Sequence, residues 1–440
     1  MYRSFPHRLR SFCAVLLSLA LPAAAAAETH SFTLSEALDA AREADPAVRR
    51  AALDVARARG DAEARWNLLL PDLELGGTLS RASFEEEPLS PWSAGFSASA
   101  SLGLSPALDR RMAARSQALE AAVIELQRAE VELARRVQER FYAVLLEQRR
   151  IAIAEQNVAL AGQQLERVRA RYEQGRASEL ELLEARAAAI GRRPELLSRR
   201  RSLFTERAAL KDLIGLTPED KLEVVGEIAV GEPELEAADI REALLAGSLE
   251  RAADRLAVER AETTRAVTAR DTFLPRLSAS YGYSPRLSPA FEAGPWQDGE
   301  TWRTGTLSLR VTLPLDPLIP GSAGDRSVES EELAVERARV TLSETEAGLR
   351  RDAADLAERL ALSRERLGLL REALEIARAR YEQTLLAYES GGVELLDVED
   401  ARTALEEAEL DVLQERYTIT MTLVELDALA GGTMFTERVQ

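Results

Sequence analysis

The sequence predicts a mainly α chain of long coiled-coil helices with four short β-strands, all of it written twice. Three observations carry this expectation. First, Tyr172-Glu-Gln-Gly175-Arg-Ala-Ser-Glu-Leu180-Glu-Leu-Leu-Glu-Ala185-Arg186 aligns without a gap on Tyr388-Glu-Ser-Gly391-Gly-Val-Glu-Leu-Leu396-Asp-Val-Glu-Asp-Ala401-Arg402, and an internal repeat of this kind defines an architecture. Second, a long proline-free stretch precedes each copy, between Ala107 and Arg193 and after Pro320. Third, each of those stretches follows a pair of segments that alternate apolar and polar residues.

The N-terminus carries Arg3, Arg8 and Arg10, an apolar run from Phe12 to Leu21, and Ala25-Ala26-Ala27 before Glu28. That order predicts a signal peptide over 1–27, its apolar run being too short to span a membrane as a helix. The mature chain is then 28–440, one protein in two repeats: about 31–214 with strands in 71–106, a linker at about 215–236, and about 237–432 with strands in 274–316. Cys13 is the only cysteine and lies inside the signal, so no disulfide and no lipid on a mature cysteine are expected.

Thr33 and Glu36 make a capping box for a helix from Ser35 to Ala44, and Asp45-Pro46 opens a second one toward Leu70, where Pro71 stops it. Period-two alternation follows. Phe96, Ala98, Ala100, Leu102 and Leu104 share one face, and Ser97, Ser99, Ser101, Gly103 and Ser105 the other. Leu73 to Leu79 forms a shorter partner. From Ala107, apolar residues at Leu119, Val123, Leu126, Leu133, Val137 and Val144 trace a heptad seam, giving a rod of roughly 100 Å over about 65 residues. Gly175 ends it, Ser178 and Glu181 are placed to cap the return, and the return runs to about Leu213. The second half replays this: helices from about Ala237 to Ala269, strands around Leu277–Tyr283 and Leu307–Leu315, then helix almost to the end.

Composition narrows the function. The formal net charge is −18, and loss of the three signal-peptide arginines takes it to −21. Such a chain does not seek nucleic acid. His30 is the only histidine after the signal, which excludes a histidine-based triad or a histidine-rich metal cluster. Neither Lys211 nor Lys221 follows a glycine, which excludes a phosphate-binding P-loop. No enzyme, cofactor or metal site is expected. Four amphipathic strands cannot close a membrane barrel alone, so several chains must share one. The pattern leaves open a pore-less periplasmic coiled-coil scaffold or adaptor protein.

Leu34-Ser-Glu-Ala-Leu38 with Asp45-Pro46, the strand starts Leu70-Pro71 and Leu274-Pro275, and the doubled Tyr-x-x-Gly … Leu … Ala-Arg turns resemble, in that order, the TolC-type outer-membrane efflux proteins. The resemblance covers residues 31–432. It implies a homotrimer whose twelve-stranded β-barrel sits among outer-membrane lipid of a Gram-negative bacterium and continues as an α-helical barrel into the periplasm. It also implies a gated exit duct working with a periplasmic adaptor (membrane fusion) protein and, indirectly, with an inner-membrane pump of the RND or ABC type. By position in the family's motif, Asp397 and Asp400 correspond to the constriction, Tyr388 to the gate tyrosine and Glu181 to its acidic partner. Gly175, Arg176, Gly391 and Gly392 correspond to the tip that contacts the adaptor. Where the family's gate arginine is found, this chain has Val393, and Arg176 is the nearest replacement in the other repeat.

Overall fold

The computed structural model describes residues 29–81, 92–228, 236–284, 286–287 and 305–432. The signal-peptide expectation for 1–27 lies outside them. The chain begins with β1 (Thr29–Phe32) and α1 (Leu34–Ala44). The Thr33 hydroxyl accepts the Glu36 N–H, and the Thr33 N–H donates 2.9 Å to the Glu36 carboxylate, so both halves of the capping box form. Asp45 then accepts the N–H groups of Ala47 and Val48 at the start of α2 (Pro46–Glu63). The second helix does not reach Leu70 as an α-helix. It tightens into a 3-10 turn over Ala64–Leu69, because Pro71 forces Leu70 into an extended conformation.

The strands β2 (Asp72–Arg81) and β3 (Trp92–Leu104) pair antiparallel and lead into α3 (Leu108–Glu173), a single helix of 66 residues. The return is broken into α4 (Glu179–Gly191) and α5 (Arg193–Ile214). Pro194 explains the break, since it has no N–H for the Ile190 carbonyl, which accepts from Arg192 instead. The linker holds a strand that the sequence pattern did not reveal, β4 (Lys221–Val224), paired parallel to β1. Helices α6 (Ala237–Gly247) and α7 (Leu249–Phe273) follow, separated by Ser248, whose side chain caps the second. Next come β5 (Arg276–Tyr283), the short β6 (Arg286–Leu287) and β7 (Gly305–Thr312). The chain ends in α8 (Ala323–Glu389), of 67 residues, and α9 (Leu395–Leu429).

Two apolar clusters near the middle of the rods repeat the duplication. In the first, Leu133, Val137, Phe141 and Val144 of α3 pack with Leu210 and Ile214 of α5 and with Leu222 and Val224 of β4. In the second, Leu356, Leu360 and Leu367 of α8 pack with Ile240 and Leu244 of α6 and Ile419 and Leu426 of α9. Each such leucine or isoleucine, fully buried, contributes about 1.5–3 kcal/mol. The predicted α3 seam is buried from Leu133 to Val144, while Leu119, Val123 and Leu126 are half-buried.

The β2–β3–β5–β7 path is antiparallel throughout, with β2 and β7 as its two edges among the described residues and β6 on β3. Its register lines up one chemistry per face. Leu75 faces Ala98, Ala98 faces Tyr283, Ala100 faces Tyr281, and Tyr281 faces Leu307, while Glu74, Ser99, Gly282 and Thr306 run along the other side.

Candidate functional site at the paired helix turns

At about 100 Å from the sheet by helix rise, α3 and α8 end in the same way. In the first turn Gly175 N–H donates to the Tyr172 carbonyl and Arg176 N–H to the Arg171 carbonyl. In the second, Gly391 N–H donates to Tyr388 and Gly392 N–H to Ala387. This pair of bonds is a Schellman cap, which needs a left-handed residue at its pivot. Gly175 has φ 71° and Gly391 φ 79°. A side chain would meet open space at either position, so backbone conformation alone demands glycine there. Gly392 has no such constraint, and its counterpart in the first turn is Arg176.

The two turns are not equivalent. Tyr172 is 41% exposed, whereas Tyr388 is buried against Val168, Ala185, Leu395 and Val398. Val393 packs onto this same apolar cluster, so the position where the resemblance expects an arginine is part of an apolar plug. The guanidinium comes from elsewhere. Arg171, in the last turn of α3, donates 2.8 Å to the Tyr388 hydroxyl, which donates 2.6 Å to the Glu181 carboxylate. The same guanidinium lies 5.1 Å from the centre of the Tyr388 ring and 3.5 Å from Glu181. Burial and the neighbouring Glu181 carboxylate push the Tyr388 hydroxyl up to about 12, so it remains a donor at every physiological pH. Only half of the capping box expected at Ser178 is made: Ser178 accepts the Glu181 N–H, but the Glu181 carboxylate is turned to Tyr388.

Asp397 and Asp400 are exposed at the start of α9, three residues apart and so on one face. Asp397 also accepts the Glu394 N–H at 3.0 Å as part of a capping box. Glu181 and Tyr388 are therefore brought together, while the two aspartates stand apart from them in solvent.

Sequence reading missed Arg171, and it also missed the ties between α9 and the first repeat. Arg192, at the α4–α5 break, reaches Glu406 at 2.7 Å and Thr403 at 3.0 Å. The buried Arg402 donates to the Asn157 carbonyl of α3, and burial weakens the hold of its guanidinium on the proton. Charged residues at helical spacing give no sign in sequence of which one turns inward, and only the packing of α9 on α3 selects Arg402. Among the described residues no cluster of His, Cys, Asp or Glu could hold a metal, and no helix is long and apolar enough to cross a membrane.

The model of the outer membrane efflux protein family matches residues 37–216 and 240–432, one segment in each half. The chain belongs to that family. As a member it is a transport protein of the outer membrane and not an enzyme. No curated protein matches it. Solved structures do. Those of CusC, reported for folding and transmembrane channel formation, match at 18% identity and TM-score 0.75, covering 90% of this chain and 91% of that one. The outer membrane protein VceC of Vibrio cholerae matches at 18% identity and TM-score 0.72, over 90% and 96% of the two chains. The open state of the Neisseria gonorrhoeae MtrE outer membrane channel also matches at 18% and 0.72, over 90% and 88%. At these identities the likeness is one of fold: long paired helices with a small β part.

Proposed function

We propose that three copies of the chain form one exit duct, closing a twelve-stranded barrel in the outer membrane and gated where the paired turns meet at the periplasmic end. The observation that carries this reading is the unfinished sheet. Leu73, Leu307 and Leu309 are more than 70% exposed on its apolar face, the opposite face is mostly serine, glycine and threonine with Asp72, Glu74, Arg276 and Arg310 among them, and the outer sides of both edge strands are unpaired among the described residues. Edge-to-edge pairing of copies satisfies the edges, turns the leucines toward lipid and leaves the small polar face on an aqueous lumen.

The helices support the same assembly. Leu183, Ile190, Leu197 and Phe204 are exposed at seven-residue intervals along α4 and α5, and Leu362, Leu369 and Ile376 likewise along α8. Counted from the turns, both stripes fall within ~5–40 Å of the tip. A second copy brings one against the other as a coiled-coil seam.

At the mouth, threefold repetition sets Asp397 and Asp400 as rings of carboxylates, which favour cations. The clasp of Arg171, Tyr388 and Glu181 holds the second turn against the first and keeps the mouth narrow. A periplasmic adaptor docks on the turns around Gly175, Arg176, Gly391 and Gly392, and an inner-membrane pump of the RND or ABC type supplies the energy that this chain does not. Planar-bilayer recording tests the mouth. Asp397→Asn combined with Asp400→Asn is expected to lower the cation-to-anion permeability ratio severalfold, and an unchanged ratio sinks the assignment.

A further inference from the structure

Beside the clasp lies a cavity of 370 Å³ between the ends of α3 and α8, lined by Gln164, Arg167, Arg171, Arg176, Tyr388 and Glu389 among others. Arg167 and Arg176 have no carboxylate partner among the described residues, and both are exposed. Gln164 is buried, and its Nε2 has no hydrogen-bond partner. The third guanidinium, Arg171, is already shared between Tyr388 and Glu181, and its distance of 3.5 Å to Glu181 is the longest in the clasp.

We infer that this cavity receives an aspartate or glutamate side chain of the protein that docks on the tip, and that its arrival draws Arg171 away from Glu181. Two unpaired guanidiniums with a third alongside make a fork that a carboxylate fills with charge-assisted hydrogen bonds. Glu389 on the rim favours a singly charged group over a phosphate, because each added negative charge is repelled by its carboxylate. Once Arg171 turns to the incoming carboxylate, Glu181 keeps only the Tyr388 hydroxyl, and the clasp that spans the two turns loosens. Docking and opening are thereby coupled through one side chain. This inference rests on the reading of the turns as the docking mouth.

The test uses the full chain in detergent and a fluorescein-labelled peptide bearing two glutamates, compared with the same peptide bearing glutamines. Fluorescence anisotropy is expected to show binding of the glutamate peptide alone, weakening with salt. The variant Arg167→Ala with Arg176→Ala, which alters only exposed side chains, is expected to lose tenfold or more in affinity. Equal binding of the two peptides overturns the inference, and so does an affinity that the variant leaves unchanged. Displacement of the peptide by sulfate at equal concentration also overturns it, since the site is then a pocket for free anions. The paired aspartate substitutions separate the two levels. If they change ion preference while the peptide fails to bind, the mouth stands and this inference falls. If the peptide binds as expected while ion preference stays fixed, the constriction assignment falls and the acidic docking site stands.

Discussion

Tyr388 is the residue on which the tip turns, because among the described residues it alone hydrogen-bonds both the Arg171 guanidinium and the Glu181 carboxylate. Removing its hydroxyl leaves each partner with a lost charge-assisted bond, so Tyr388→Phe is expected to destabilise the tip by about 1–3 kcal/mol and to raise single-channel conductance. An unaltered conductance contradicts its role in closure. The pH dependence has a definite sign. The native hydroxyl titrates at about 12, above its ordinary value of 10.0, so its contribution is fully present below pH 10 and is lost as pH rises from there through 12. Spectrophotometric titration checks this: Tyr388→Phe removes one tyrosine from those ionising near pH 12. The glycines of the turns divide by the same logic. Gly175→Ala places a side chain in a left-handed conformation and costs ~1–2 kcal/mol, while Gly392→Ala stays within ~0.5 kcal/mol. Thermal unfolding of the two variants distinguishes them.

Among elements, those with strong periodicity were legible in sequence, and those fixed by a single contact were not. The rods α3 and α8, the capped α1, and β2, β3, β5 and β7 all follow from apolar spacing and proline placement. β1 and β4 are four residues each, too short for a period to register, and they exist because β4 packs Leu222 and Val224 into the α3–α5 core. The break at Arg192 was written in Pro194, yet helical periodicity on both sides concealed it. At the candidate site, the glycine pivots were anticipated from the aligned turns, while Tyr388 and Glu181 were singled out only through the family resemblance. Arg171 was not anticipated: it lies one residue before Tyr172, outside the repeated motif, and only the packing of Tyr388 brings it into play. The exposed stripes make their own prediction. Leu197→Arg buries an unpaired charge in the proposed seam between copies and is expected to dissociate the assembly on native gels, whereas Leu197→Met leaves it intact. Identical migration of the arginine variant and the parent contradicts the seam.

For the whole molecule, one chain presents an incomplete sheet at one end, an incomplete collar of helices along its length, and an acidic face beside a basic cavity at the other end. In the assembly proposed above, further copies of the chain complete the sheet and the collar, and the family to which the chain belongs is one of the outer membrane. The most direct test is the native mass of the protein extracted from the outer-membrane fraction in mild detergent. The account predicts a particle of three chains. A monomer recovered in the soluble periplasmic extract contradicts it.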